Sequence, residues 1–314
     1  MKIFFSLLVI ATFSCRPPKQ REKLPDQSLK TTAIKAKRIL DSSSIIHELQ
    51  FLASDTCEGR KPGSAGHEKA AQRIINDFRS AGIDTFNTGL VQLFSGRSLS
   101  GFTEGKNIIA TVKGTKYADS FIIITAHYDH LGKTVLGKIF YGADDNASGA
   151  ACLVSLAKYF AKNRTPFSLI FVSFDREETG LEGSNYFVDH LPKGVNQSNI
   201  KLNLNLDMLA RADSNIIYAC GLKHYPALAY AIDSVKNETS VKLIAGHDSG
   251  SFMDDWTTQS DHYPFHKAHI PFLYIGVENH EDYHQPTDKA DKINYSTYIE
   301  ICNMVAALVN ALQQ

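Results

Sequence analysis

Residues 121–124 (FIII) are four consecutive apolar residues that run without a charge through Thr125 and Ala126 and stop at His127-Tyr128-Asp129. Such a run predicts a strand buried on both faces of a sheet. It commits the chain to layers on both sides of that strand, and it delivers one imidazole and one carboxylate at the strand's end. After a short excursion, GADDNASG (142–149) supplies Asp144, Asp145 and Asn146 within a frame of small residues, and the apolar run 150–160 follows as a helix. Acids at a helix entry, beside His and Asp at the carboxyl edge of a buried strand, point to metal binding.

The rest of the chain alternates. A helix at about 147–161 leads to a strand at 168–174, a helix from about Glu182 and a strand at 201–206. A short strand at 216–219, a helix at 225–235, a strand at 271–275 and a closing helix at 296–312 complete the series. Upstream, 41–52 and 67–81 carry apolar residues at helical spacing, with Asp41 placed to cap the first. CEGRKPGSAG (57–66) is a loop by its Gly and Pro content, and a strand at 108–112 is separated from 121–125 by a turn at Gly114. Strands alternating with helices predict an α/β domain with a mainly parallel central sheet flanked by helices on both faces. Without internal repeats or a Gly/Pro-rich linker, residues 38–314 read as one catalytic domain.

Residues 1–15 differ from the rest. Met1-Lys2 gives a positive start, and the apolar run 3–13 has signal-peptide length, too short to span a bilayer as a helix. It ends in Thr12-Phe13-Ser14-Cys15, which resembles a bacterial lipoprotein signal, although Thr12 stands where such signals usually carry Leu. The expectation is an exported, cell-envelope protein whose only membrane association is a lipid anchor on Cys15; an ordinary secretory signal with an incidental Cys is the alternative. Residues 16–37 are polar and aperiodic, a flexible tether. Lys+Arg and Asp+Glu balance at 33 each, so nothing marks a nucleic-acid partner. Cys57, Cys152, Cys220 and Cys302 show neither a disulfide framework nor a C-x-x-C pair, and Cys152 and Cys302 fall within apolar helical patterns.

In such a sheet, ligands gather beyond the carboxyl ends of the strands. His127 and Asp129 follow the first buried strand, Glu177 and Glu178 the next, and Asp207 the strand at 201–206. His284 lies in the loop after 271–276. Adjacent carboxylates repel, so Glu177-Glu178 at the end of an apolar strand implies a nearby cation.

AHYDHLG, GADDNASG, FDREETGLEGS, NLDM and YHQPTD, in this order over about 126–288, resemble metallopeptidase family 28, the co-catalytic zinc aminopeptidases of the aminopeptidase S and aminopeptidase Y type. LASDTCEGRKPGSAGHEKAA (52–71) is similar to that family's lead-in. The resemblance implies a zinc-exopeptidase fold and two Zn2+, with Co2+ or Mn2+ as substitutes. It implies a peptide substrate with a free N-terminus. It assigns His127 and Asp207 to one metal, Glu178 and His284 to the other, and Asp145 as the bridge between them. Glu177 would be the general base, Asp129 would orient His127, and Tyr283 matches a tyrosine that in some members hydrogen-bonds the oxyanion. Arg176 departs from the pattern, since a small residue commonly precedes the Glu pair there, and this bears on the local substrate pocket. The residue types suit the chemistry: two divalent ions need a bridging carboxylate, and imidazole and carboxylate donors without thiolate fit zinc.

Other patterns compete. His280-Glu281-Asp282-Tyr283-His284 satisfies H-E-x-x-H, but that motif needs a helix, and this stretch follows a strand and runs into Pro286. His190, His224, His247, His262, His266 and His269 match no motif and read as surface or packing residues. Asp144 and Asn146 can serve as turn and capping residues, and Ser260-Asp261-His262 as structure or substrate contact. Single-zinc glutaminyl-peptide cyclotransferases look similar over this region but carry WH-T-x-D near the last ligand, where this chain has YHQPTD. A non-catalytic binding relative would lack ligands, and here all five stand.

Overall fold

A computed structural model describes residues 38–314 apart from 87–88, 99–100, 237–238 and 251–253. The expected signal peptide (1–15) with Cys15, and the tether (16–37), lie outside the described residues. The strands are β1 (Val91–Ser98), β2 (Gly101–Val112), β3 (Tyr117–His127), β4 (Phe167–Phe174), β5 (Ile200–Leu206), β6 (Ile216–Cys220), β7 (Lys242–Ala245) and β8 (Phe272–Gly276). The helices are α1 (Ser42–Leu52), α2 (Ala65–Ser80), α3 (Gly149–Lys162), α4 (Glu182–Asp189), α5 (Ala229–Val235), α6 (His262–Lys267) and α7 (Tyr295–Ala311).

All eight strands form one sheet in the order β1-β2-β4-β3-β5-β8-β6-β7. Its centre, β4-β3-β5-β8, is parallel, while β1 with β2, β2 with β4, and β6 with β8 pair antiparallel. The sheet is thus mixed and mainly parallel, as the alternation predicts. The sequence pattern misses β1, β7 and α6. The first two lie at the sheet's edges, where Leu93 is half exposed and β7 buries only Leu243, so no continuous apolar run marks them.

Side-chain alternation explains why β3 is central. Ile122, Ile124 and Ala126 enter the core on one face, with α3 and α7, while Phe121 and Ile123 enter a smaller core with Phe187 and Phe265 on the other. Each fully buried Ile contributes about 1.5–3 kcal/mol relative to exposure. β5 splits in the same way: Leu202, Leu204 and Leu206 join the larger core, which leaves Asn203 and Asn205 buried on the opposite face. Buried amides are costly unless bonded, and these are. Asn203 donates to Thr125 Oγ1 at 2.9 Å, and Thr125 donates to Asn205 Oδ1 at 2.7 Å. The four cysteines of the described residues are buried and unpaired. No described helix is long and apolar enough to cross a membrane.

Asp41 caps α1 by accepting from Ser43 and Ser44 N–H, as its position predicts. On the same helix, Glu48 is buried and bonded to Arg73, with Oε1 left without a partner. Burial, then Asp77, pushes the Glu48 carboxyl up from 4.5 to about 8. Between those values the folded chain holds a proton that the unfolded chain has released, so Glu48 makes stability fall as pH rises from about 4.5 to about 8. Glu48→Gln is expected to remove that slope and raise the melting temperature at pH 8 more than at pH 5. Equal shifts at both pH values in thermal unfolding would sink this account.

Candidate metal centre

Parallel strands bring their carboxyl ends to one edge, and the acidic residues collect there. His127 ends β3, Glu177 and Glu178 follow β4, and Asp207 follows β5 directly. Asp145 comes from the wide helical turn Ala143–Ser148, in which Asp145 and Asn146 leave helical backbone angles. Tyr283 and His284 come from the turn after β8.

Asp145 lies between two clusters. Its Oδ1 is 3.4 Å from His127 Nε2, which is also 3.4 Å from Asp207 Oδ1. Its Oδ2 is 3.0 Å from His284 Nε2, which in turn is 3.2 Å from Glu178 Oε2. His127 Nε2, Asp145 Oδ2 and Asp207 Oδ1 are buried without a hydrogen-bond partner. Polar atoms are rarely left so inside a protein, and three converging from separate elements are what a cation would satisfy. The residues therefore fit divalent ions: His127 and Asp207 on one side of Asp145, Glu178 and His284 on the other.

Supporting residues fix these atoms. Ser260 accepts from Asn205 Nδ2 at 2.9 Å and donates to Asp207 Oδ2 at 2.7 Å, extending the Asn203–Thr125–Asn205 chain to Asp207 and leaving Oδ1 to face His127. Asp129 accepts the N–H of Glu177 at 3.1 Å and of Glu178 at 3.3 Å. Its carboxylate is 3.7 Å from His127 Nδ1, farther than the Asp129 carbonyl at 3.3 Å, so its hydrogen bonds position the Glu pair more directly than they orient His127. Asp144 turns away from the centre to Ala210 N–H, Ser148 and His280. Asn146 likewise bonds Leu206 O and the N–H groups of Gly149 and Met208.

Arg60 is fully buried and donates to the carbonyls of Leu52, Tyr128, Tyr141 and Gly142 at 2.7–2.8 Å, with Asp145 O at 3.4 Å. One guanidinium thus ties the end of β3 to the turn that carries Asp145. Gly142, at φ +54°, is needed for this: a Cβ there would lie 2.1 Å from Asp145 O and 2.7 Å from Arg60 Nη2.

Burial holds the Glu177 carboxyl well above the usual carboxylate range, against the pull of His127. Burial also works against a charge on Asp145, but His127 and His284 overcome it and hold that group well below the range. The carboxylates of Asp145 and Glu178, 3.0 and 3.2 Å from its Nε2, push His284 up to about 10. Asp261, fully buried nearby, is pushed up by burial to about 7.

The structure brings all eight sequence candidates to this edge and adds His130. Glu177 lies within ligand reach of His127 and Asp207. His130 is buried with Nδ1 2.7 Å from Glu178 Oε1 and 3.8 Å from Asp145 Oδ2. Its only signal in the sequence is its place in AHYDHLG, three residues after His127. Tyr283 stacks on His284 with ring centroids 3.9 Å apart. The H-E-x-x-H stretch is a turn rather than a helix, and His280 bonds Asp144 while Glu281 is exposed. His262 is a buried packing residue bonded to Trp256 O.

Peptidase family M28 matches the chain over residues 107–309. Aminopeptidase YwaD of Bacillus subtilis (strain 168) is 29% identical over 222 residues, covering 67% of this chain and 46% of that protein, so the chain spans less than half the length of this relative. Among solved structures, an aminopeptidase from Aneurinibacillus sp. strain AM-1 superposes with a TM-score of 0.68 at 19% identity, covering 86% of this chain and 93% of that one. A glutaminyl cyclase of Porphyromonas gingivalis gives 0.69, also at 19% identity, over 87% and 99%. These two likenesses are of fold.

Proposed function

Because the chain belongs to peptidase family M28, a zinc metallopeptidase family, we propose that it is an aminopeptidase that hydrolyses the first peptide bond of substrates with a free N-terminus, using two zinc ions. The observation that carries this reading is Asp145, whose two oxygens face two separate sets of His and carboxylate donors. Two donor sets on either side of one carboxylate support a two-ion site.

Bound zinc would polarise the scissile carbonyl and acidify the attacking water. The chain's own residues do the rest. Glu177, fixed through its N–H by Asp129, accepts the water's proton and returns it to the leaving amine. The Tyr283 phenol, beside His284, donates to the oxygen on which charge develops.

The cyclase alternative has the same fold, so metal and reaction separate the two. Purified residues 38–314, with zinc restored, are expected to bind about two zinc ions per chain and to release aminoacyl amides. One zinc with cyclisation of N-terminal glutamine would replace the peptidase reading, and no zinc would support a binding relative. The proposal includes export with lipid attachment at Cys15, which rests on residues 1–15 alone; labelling of Cys15 with radioactive palmitate is its test.

A further inference from the structure

We infer that the cavity beside Glu178 is the subsite for the departing part of the peptide, and that it favours an apolar or aromatic side chain just beyond the scissile bond. This deepens the aminopeptidase reading and rests on it.

The cavity measures about 1080 Å³, and its wall joins His130 and Glu178 of the metal centre to Phe94, Thr103, Arg176 and Tyr186. A cavity of about 300–1,000 Å³ accommodates a whole drug-sized ligand, far more than one side chain. An aminopeptidase holds a single residue before the bond and the remaining chain after it, so a space of this size suits the departing side. The cavity reaches the centre on the side of His130 and Glu178, and His127, Asp207 and Asp261 are not among the residues that line it.

Phe94 and Tyr186 form an aromatic patch at the far end of the wall, among polar neighbours. Phe94 of β1 stacks on Tyr186 of α4 with centroids 5.3 Å apart, and Tyr186 stacks in turn on His190 at 4.0 Å. Arg176 lies flat against the β1–β2 ribbon, bonded to Glu182 at 2.6 Å and to Thr103 at 2.8 Å. It can do so because Gly96 has no side chain; a Cβ there would come within 2.0 Å of Arg176 Nε. With Glu182 beside it, Arg176 covers the wall as a neutralised pair rather than offering an anion site. Phe94, Gly96 and Thr103 lie on the β1–β2 ribbon, before the stretch that matches the family. The residue that departs from the family pattern before the Glu pair is thus part of the pocket that selects the substrate.

The test uses zinc-restored Glu177→Gln, whose binding can be read without turnover, titrated calorimetrically with the tripeptides Leu-Phe-Gly and Leu-Gly-Gly. Burial of a phenylalanine side chain predicts at least about tenfold tighter binding of the first. Adding Tyr186→Ala, or Ser95→Trp at an exposed position on the cavity's rim, is expected to bring the two affinities within about twofold. Equal affinities before these changes, or a preference that survives both, would overturn the inference. Hydrolysis of leucinamide by the wild type reports separately on the reaction: if it fails while the phenylalanine preference stands, the pocket is retained and the aminopeptidase reading is not.

Discussion

Glu177→Gln is expected to lower kcat for aminoacyl amides by about 10²–10⁴-fold, the usual range for loss of a general base, while the zinc content stays at the wild-type level. Glutamine keeps the shape and the N–H that Asp129 receives but cannot take the water's proton. The paired measurement matters because Glu177 lies within ligand reach of His127 and Asp207. If zinc is lost together with activity, Glu177 is a ligand and the base must be sought elsewhere. Glu281→Gln serves as the control. That side chain is exposed in a turn, so its removal is expected to leave kcat within about twofold, as for surface substitutions generally. An inactive Glu281 variant would reverse the choice between the two motifs.

Arg60→Met is expected to cost the most stability of any single change outside the metal ligands. It strips a buried donor group from four carbonyls held at 2.7–2.8 Å, of which Gly142 O keeps the N–H of Ala147 while those of Leu52, Tyr128 and Tyr141 lose their donor. Each buried acceptor left unpaired costs about 1–3 kcal/mol, so a loss of about 5 kcal/mol or more is expected, against a total of about 5–15 kcal/mol for a typical domain. In a chain of this size that lowers the melting temperature by about 10–20 °C. Zinc affinity should fall as well, because the freed carbonyls flank Asp129 and the turn that carries Asp145. Arg60→Lys, which keeps the charge but not the planar fork, should recover only part of the loss. Melting of Arg60→Met within a few degrees of the wild type would show that other groups meet those carbonyls.

The contrast between these two residues shows what could be read from the chain. Glu177 was visible because it ends an apolar run next to a second carboxylate, and a strand's end is a local property of sequence. The same holds for His127, Asp207 and the layered sheet around residues 121–124, since apolar runs and their period reflect burial directly. Arg60 sat in a loop of unremarkable composition, and nothing local marks a guanidinium that reaches carbonyls 68 to 82 positions away.

His130 and Ser260 belong with Arg60. His130 follows His127 by three residues, yet what matters is that its ring meets Glu178 from another strand. Ser260 matters because a line of buried amides on β5 ends at its hydroxyl and passes on to Asp207. The edge strands β1 and β7, half exposed, left no apolar run to find, and with β1 went the ribbon that walls the cavity. Sequence by itself determined which residues are buried and which strands end in histidine and acidic side chains, because hydrophobic periodicity is local. The tertiary structure alone decided how close these donors lie, what holds them and where a cavity opens beside them, because those depend on contacts between elements far apart in the chain.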